Sequence, residues 1–109
     1  MKRGDVVIVS LPGSYGKPRP AVLIQSDRIA QTDSVLVCLL TSTESAAPLS
    51  RLALEPTPGN GLRVPSQVMT DKIHAMRRDR VTGPIGSLSA EEMVRLDTTL
   101  SLVIGLADA

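Results

Sequence analysis

The apolar residues of this chain come in short runs until Ser89, where their spacing changes to a helical one. Gly4 to Ser10 is a β-branched stretch of strand length. Leu11 to Pro18 holds two prolines and two glycines and predicts a loop. Arg19 to Ser26 predicts a second strand, with Pro20 near its start, where a missing ladder donor is tolerated. Asp27 to Asp33 is polar and predicts a turn or short helical piece, and Ser34 to Thr41 a third strand. Ser42 to Pro48 reads as a polar loop, and Arg51 to Glu55 alternates like an exposed strand. Pro56 to Gly61 is a strong turn signal. Val64 to Met69 and Arg80 to Ile85 are weaker strands flanking a charged segment, Asp71 to Arg80.

The end of the chain is different in kind. Ser89-Ala-Glu-Glu92 has the pattern of a capping box, with Ser89 as N-cap and Glu92 three residues on. Met93, Leu96, Leu100 and Val103 then recur every three or four residues, and Gly105 is a natural stop. Glu91 and Glu92 favour the positive end of the helix dipole. Five or six short strands followed by one amphipathic helix predict a small α+β domain with a half-open barrel. At 109 residues there is room for one domain, residues 1–109.

Composition narrows the chemistry. There is one Tyr and no Phe or Trp, so the core must be Val, Leu, Ile and Met. The single cysteine, Cys38, cannot form an intramolecular disulfide; it reads as a small core residue in a cytoplasmic protein. One His and one Cys do not make a usual zinc site, so no metal or other cofactor is expected. No apolar run suggests a signal peptide or a membrane span. The net charge of +1 argues against a simple polybasic nucleic-acid binder. It hides a split, however. Residues 1–80 carry 11 basic and 7 acidic side chains, and residues 81–109 carry 1 and 4.

No phosphate loop, nucleophile elbow or paired histidine is present, and His74 reads as an ordinary surface or satisfied residue. What remains is Arg, Lys, Asp, Ser and Thr near strand ends. That set suits phosphate chemistry driven by electrostatics and hydrogen bonds. Composition alone does not choose between an enzyme and a binding module.

The order of short motifs adds more. Arg3-Gly4-Asp5-Val6-Val7 opens the chain, followed by Arg19-Pro20-Ala21-Val22-Leu23-Ile24 and Leu39-Leu40-Thr41-Ser42. Gly59-Asn60-Gly61-Leu62, Pro65-Ser66-Gln67-Val68, Asp71-Lys72-Ile73 and Ile85-Gly86-Ser87-Leu88-Ser89 come next. In this order the chain resembles the MazF/PemK (Kid-like) family of toxins from toxin–antitoxin pairs, over nearly its whole length. The resemblance implies an SH3-like β-barrel of short, mostly antiparallel strands with a C-terminal amphipathic helix, and a homodimer. It implies a metal-independent endoribonuclease that cuts single-stranded mRNA at a short sequence and is neutralised by a cognate antitoxin. In such enzymes the ribose 2′-OH attacks the adjacent phosphorus, leaving a 2′,3′-cyclic phosphate and a 5′-OH.

The resemblance also assigns residues. Arg19 matches the family's catalytic Arg, and its planar fork suits a phosphate gaining charge. Thr41 matches the catalytic Thr or Ser at the end of the third strand, with Ser42 and Thr43 able to share its role or bind RNA. Asp71 matches a base used by Kid-like members. Some relatives place an Arg two residues before that Asp, where this chain has Met69, and some a His in the first loop, which has none here. An Arg19–Thr41 centre is therefore the simpler reading. Tyr15 and Lys17 in the first loop, with Lys72 and Arg77, are the candidate RNA contacts, and Arg78 and Arg80 could also reach phosphates. Two other classes stay open: a non-nuclease, CcdB-like gyrase poison, and an inactive SH3-like binding module. The terminal Leu106-Ala-Asp-Ala, without Trp, weighs against the first.

Overall fold

Val6 and Val7 are neighbours on one strand, and each is fully buried in a different apolar cluster. Alternation along a strand sends successive side chains to opposite faces, so the sheet is covered on both. A computed structural model describes residues 1–11, 17–43 and 49–108. Six strands form one antiparallel sheet: β1 (Asp5–Ser10), β2 (Pro18–Leu23), β3 (Ser34–Thr41), β4 (Arg51–Leu54), β5 (Ser66–Arg77) and β6 (Val81–Ser87). Their order is β4-β5-β3-β2-β1-β6. One helix, α1 (Ala90–Val103), ends the fold.

The helix covers one face. Leu96 and Leu100 are buried against Val6, Val22, Cys38, Leu52, Leu54 and Val68. Each such leucine contributes roughly 2 kcal/mol by leaving water. The capping box forms as the sequence predicts: the Ser89 N–H donates to Glu92 Oε1 (2.8 Å) and the Glu92 N–H donates to Ser89 Oγ (3.1 Å). Arg3 of the opening Arg-Gly-Asp ties the helix to the residue that follows β2. It donates to Asp97 (2.7 Å) and to the Ile24 carbonyl (2.9 Å). The opposite face is filled by Val7, Val9, Ala21, Leu23, Val37 and Leu39, with Met76 and Val81.

Two sequence expectations change. The alternating segment at 51–54 is not an exposed strand, because Leu52 and Leu54 lie under the helix at 4% and 1% exposure. The charged segment is not a connector between two weak strands. It belongs to β5, twelve residues long, which pairs with β3 from Thr41–Gln67 to Ser34–Arg77. Asp71, Lys72 and Arg77 turn outward while Val68, Thr70 and Met76 are buried, so the charges are compatible with a strand. A bulge in β5 between its partners of Cys38 and Leu40 takes up Met69–Lys72. The 3-10 turn Arg78–Arg80 then leads to β6.

The connection from β4 to β5 is built around Asn60, which is fully buried. Its Oδ1 accepts from the Thr57 and Leu62 N–H groups, both at 3.0 Å, and its Nδ2 donates to the Glu55 carbonyl (2.8 Å) and Glu92 (3.2 Å). Beside it, the loop and β6 pack backbone to backbone. Gly61 has φ +71°, and a β-carbon there would collide with the Ile85 carbonyl. The Ser87 N–H donates to the Gly59 carbonyl (2.9 Å). These contacts fix where residues 62–66 run. No helix among the described residues is long and apolar enough to cross a membrane.

Candidate active site

β2 and β3 are paired with Ala21 opposite Leu39 and Val22 opposite Cys38. Two positions further along the same register stand Arg19, near the start of β2, and Thr41, at the end of β3. Both line one open depression of about 360 Å³, together with Lys17 and Ser42. Val64, from the connection held by Asn60, and Ser66, the first residue of β5, form its other wall. The buried Ser66 hydroxyl donates to the Val64 carbonyl (3.0 Å), which holds that corner. No acidic side chain lines the depression among the described residues.

Arg19 and Lys17 are exposed, and neither side chain has a hydrogen bond or ion pair among the described residues. Thr41 Oγ1 accepts the Thr43 N–H (3.1 Å), which leaves its own O–H free to donate outward. Two cations and three hydroxyl-bearing residues, with no described carboxylate among them, form a surface for an oxyanion. A planar guanidinium can meet two oxygens of a phosphate at once.

The remaining sequence candidates lie elsewhere. Thr43 is exposed next to the depression but does not line it. Asp71 stands on the bulged part of β5, pairs with Arg51 of β4 (3.1 Å) and does not line the depression with Arg19 and Thr41. Lys72 follows it on the exposed side. Arg77 faces Ser34, at the opposite end of β3 from Thr41, about 23 Å away at the usual rise per residue. There it pairs with Asp79 (2.6 Å). Arg78 donates to the Thr32 carbonyl (2.6 Å). Tyr15 lies outside the described residues. Val64 and Ser66 are wall residues that no sequence signal marked as such; their place depends on the buried Asn60.

The other reactive groups are accounted for by packing. Cys38 is fully buried, and its thiol is pushed up to about 12, chiefly by burial and also by the charge of Asp71. A thiol held protonated is a core group rather than a nucleophile. His74 is half-buried on β5 opposite Val37.

Comparison with known proteins agrees with the motif order. The family described as PemK-like, MazF-like toxin of type II toxin–antitoxin system matches residues 2–104. A probable endoribonuclease MazF of Mycolicibacterium smegmatis is 42% identical over 98% of this chain and 99% of its own length. A MazF-type endoribonuclease of Mycobacterium tuberculosis is 29% identical over 97% and 98%. Among solved structures, an endoribonuclease in complex with its cognate antitoxin, from a mycobacterial species, superposes with a TM-score of 0.83 at 23% identity. That likeness spans 100% of this chain and 99% of the other. With a family match over nearly all of its length and a relative this similar end to end, the chain belongs to the PemK-like, MazF-like toxins of type II toxin–antitoxin systems.

Proposed function

We propose that this toxin is a sequence-specific endoribonuclease that cleaves single-stranded mRNA at the Arg19–Thr41 depression without a metal. The observation that carries the reading is the unpaired Arg19 guanidinium beside the Thr41 hydroxyl in a depression free of described carboxylates. Attack of a ribose 2′-OH on the next phosphorus adds negative charge to the phosphate oxygens. Arg19 offsets that charge, and the Thr41 O–H donates to a non-bridging oxygen and holds the phosphate in line. Lys17 and Ser42 bind the strand next to it. The 2′-OH loses its proton to water, which reaches the open depression, and water returns one to the departing 5′-oxygen. The products are a 2′,3′-cyclic phosphate and a 5′-OH, and DNA, lacking the nucleophile, is spared.

The rest of the reading follows the family. Residues 1–109 act as one domain, in the cytoplasm, as a homodimer whose RNA groove a cognate antitoxin covers. The sheet is a half-open, SH3-like barrel. The hydrogen bond from Ser87 on edge strand β6 to Gly59, in the connection after the other edge strand, supports this closure. The test is incubation of the purified protein with unstructured RNA in EDTA. Cleavage should leave 5′-OH and cyclic phosphate ends, and RNA left intact across many sequences overturns the proposal.

A further inference from the structure

Next to the Arg19–Thr41 depression lies a second cavity of about 530 Å³. The two share Pro20, Val64 and Ser66, so they adjoin along one wall. The walls of the second are mainly aliphatic: Ile8 of β1, Leu62 of the connection and Ile85 of β6. Ile85 and Val64 are 43% and 50% exposed, an apolar surface left open to water. Arg63 sits on the rim, exposed, with no hydrogen bond or ion pair among the described residues. As in the first depression, no described carboxylate lines it.

We propose that this cavity seats the base of a nucleotide flanking the cleaved phosphodiester, with Arg63 holding that nucleotide's phosphate. The inference rests on the nuclease reading and extends it to how the RNA sequence is selected. A single-stranded base needs a flat apolar surface for its face and a cation for its backbone. With no Phe or Trp in the chain, the aliphatic walls and the Pro20 ring take the part that aromatic platforms play elsewhere. The cavity is also preformed. Its Leu62 and Ile85 walls are locked together by the close Gly61–Ile85 backbone contact and the buried Asn60, so seating a base needs little ordering of the protein.

The experiment treats a long unstructured transcript with the parent protein, Arg63→Ala, Ile85→Glu and, as a control for lost charge, Arg28→Ala from the exposed turn after β2. The 5′-OH ends are sequenced and kcat and KM measured on an oligonucleotide carrying the parent's preferred site. Arg63→Ala should raise KM about tenfold, the order expected for loss of one base-and-backbone contact. Ile85→Glu should flatten the base preference at one position beside the cut, and Arg28→Ala should match the parent. If the parent cuts and both cavity variants keep its site preference and KM, the subsite is overturned while the nuclease reading stands. Unchanged cleavage with weakened neutralisation by the antitoxin likewise overturns it and gives the cavity to the protein partner. A parent that makes no cuts removes the nuclease reading and this subsite with it.

Discussion

Arg19 and Thr41 lie on adjacent antiparallel strands and line the same depression, though 21 residues separate them in the chain. Their tasks in the proposed reaction are complementary, charge from one and a directed hydrogen bond from the other. Arg19→Ala should lower kcat by about 10²- to 10³-fold, the usual cost of losing a transition-state donor. Thr41→Val should lower it less, and Thr41→Ser should restore most of the loss. Single-turnover cleavage with 5′-end analysis measures each. Circular dichroism should match the parent, since Arg19 is exposed and unpaired among the described residues.

Asp71 provides the contrast. It is paired with Arg51 and does not line the depression. Asp71→Asn should cost about 1 kcal/mol of stability or less, as expected for a partly exposed pair. Cleavage should stay within a few-fold of the parent and keep rising with pH. A loss as large as that of Arg19→Ala, with the rise abolished, would instead make Asp71 the base.

Cys38 is raised from 9.0 to about 12 in the folded chain, mainly because burial disfavours the thiolate. The unfolded chain therefore releases the proton first. The stability that this provides is complete below about pH 9 and is lost as the pH climbs toward 12. The melting temperature of the parent should fall more steeply over that window than that of Cys38→Ala. Native protein at pH 8 should react with a thiol reagent only as fast as it unfolds.

Asn60 joins the β4–β5 connection to the helix cap through four side-chain hydrogen bonds. Asn60→Ala leaves buried partners unsatisfied and should cost about 3 kcal/mol. For a domain this size that lowers the melting temperature by on the order of 10 °C. Because the same connection carries Val64 and leads into Ser66, KM for RNA should rise even at temperatures where the variant is folded. A variant with the parent's melting temperature and KM would show that the hub does not position this wall.

The parts of the fold that were legible in the sequence are those whose cause is local. Ser89 and Glu92 satisfy each other's backbone three residues apart, and the spacing of Leu96 and Leu100 follows from one helical stripe. The third strand, Ser34–Thr41, has the predicted limits because its apolar run is bounded by polar residues on both sides. The strand at Asp71–Arg77 was not legible. Its charged side chains resemble a surface turn, and only pairing with β3 makes them the outer row of a strand.

The site divides in the same way. The order of motifs named Arg19 and Thr41 and the family they belong to, because residue identity is enough for a resemblance. Bringing the two residues to one depression depends on the β2–β3 register, which is a property of paired backbones. The Arg51–Asp71 pair, the distance of Arg77 and the wall at Val64 and Ser66 likewise come from contacts between distant segments. The sequence by itself determined the helix, most strand positions, the aliphatic core and, through the motif order, the family. Only the tertiary structure decided which cations stay unpaired and which side chains share a surface, since those depend on the packing of residues far apart in the chain.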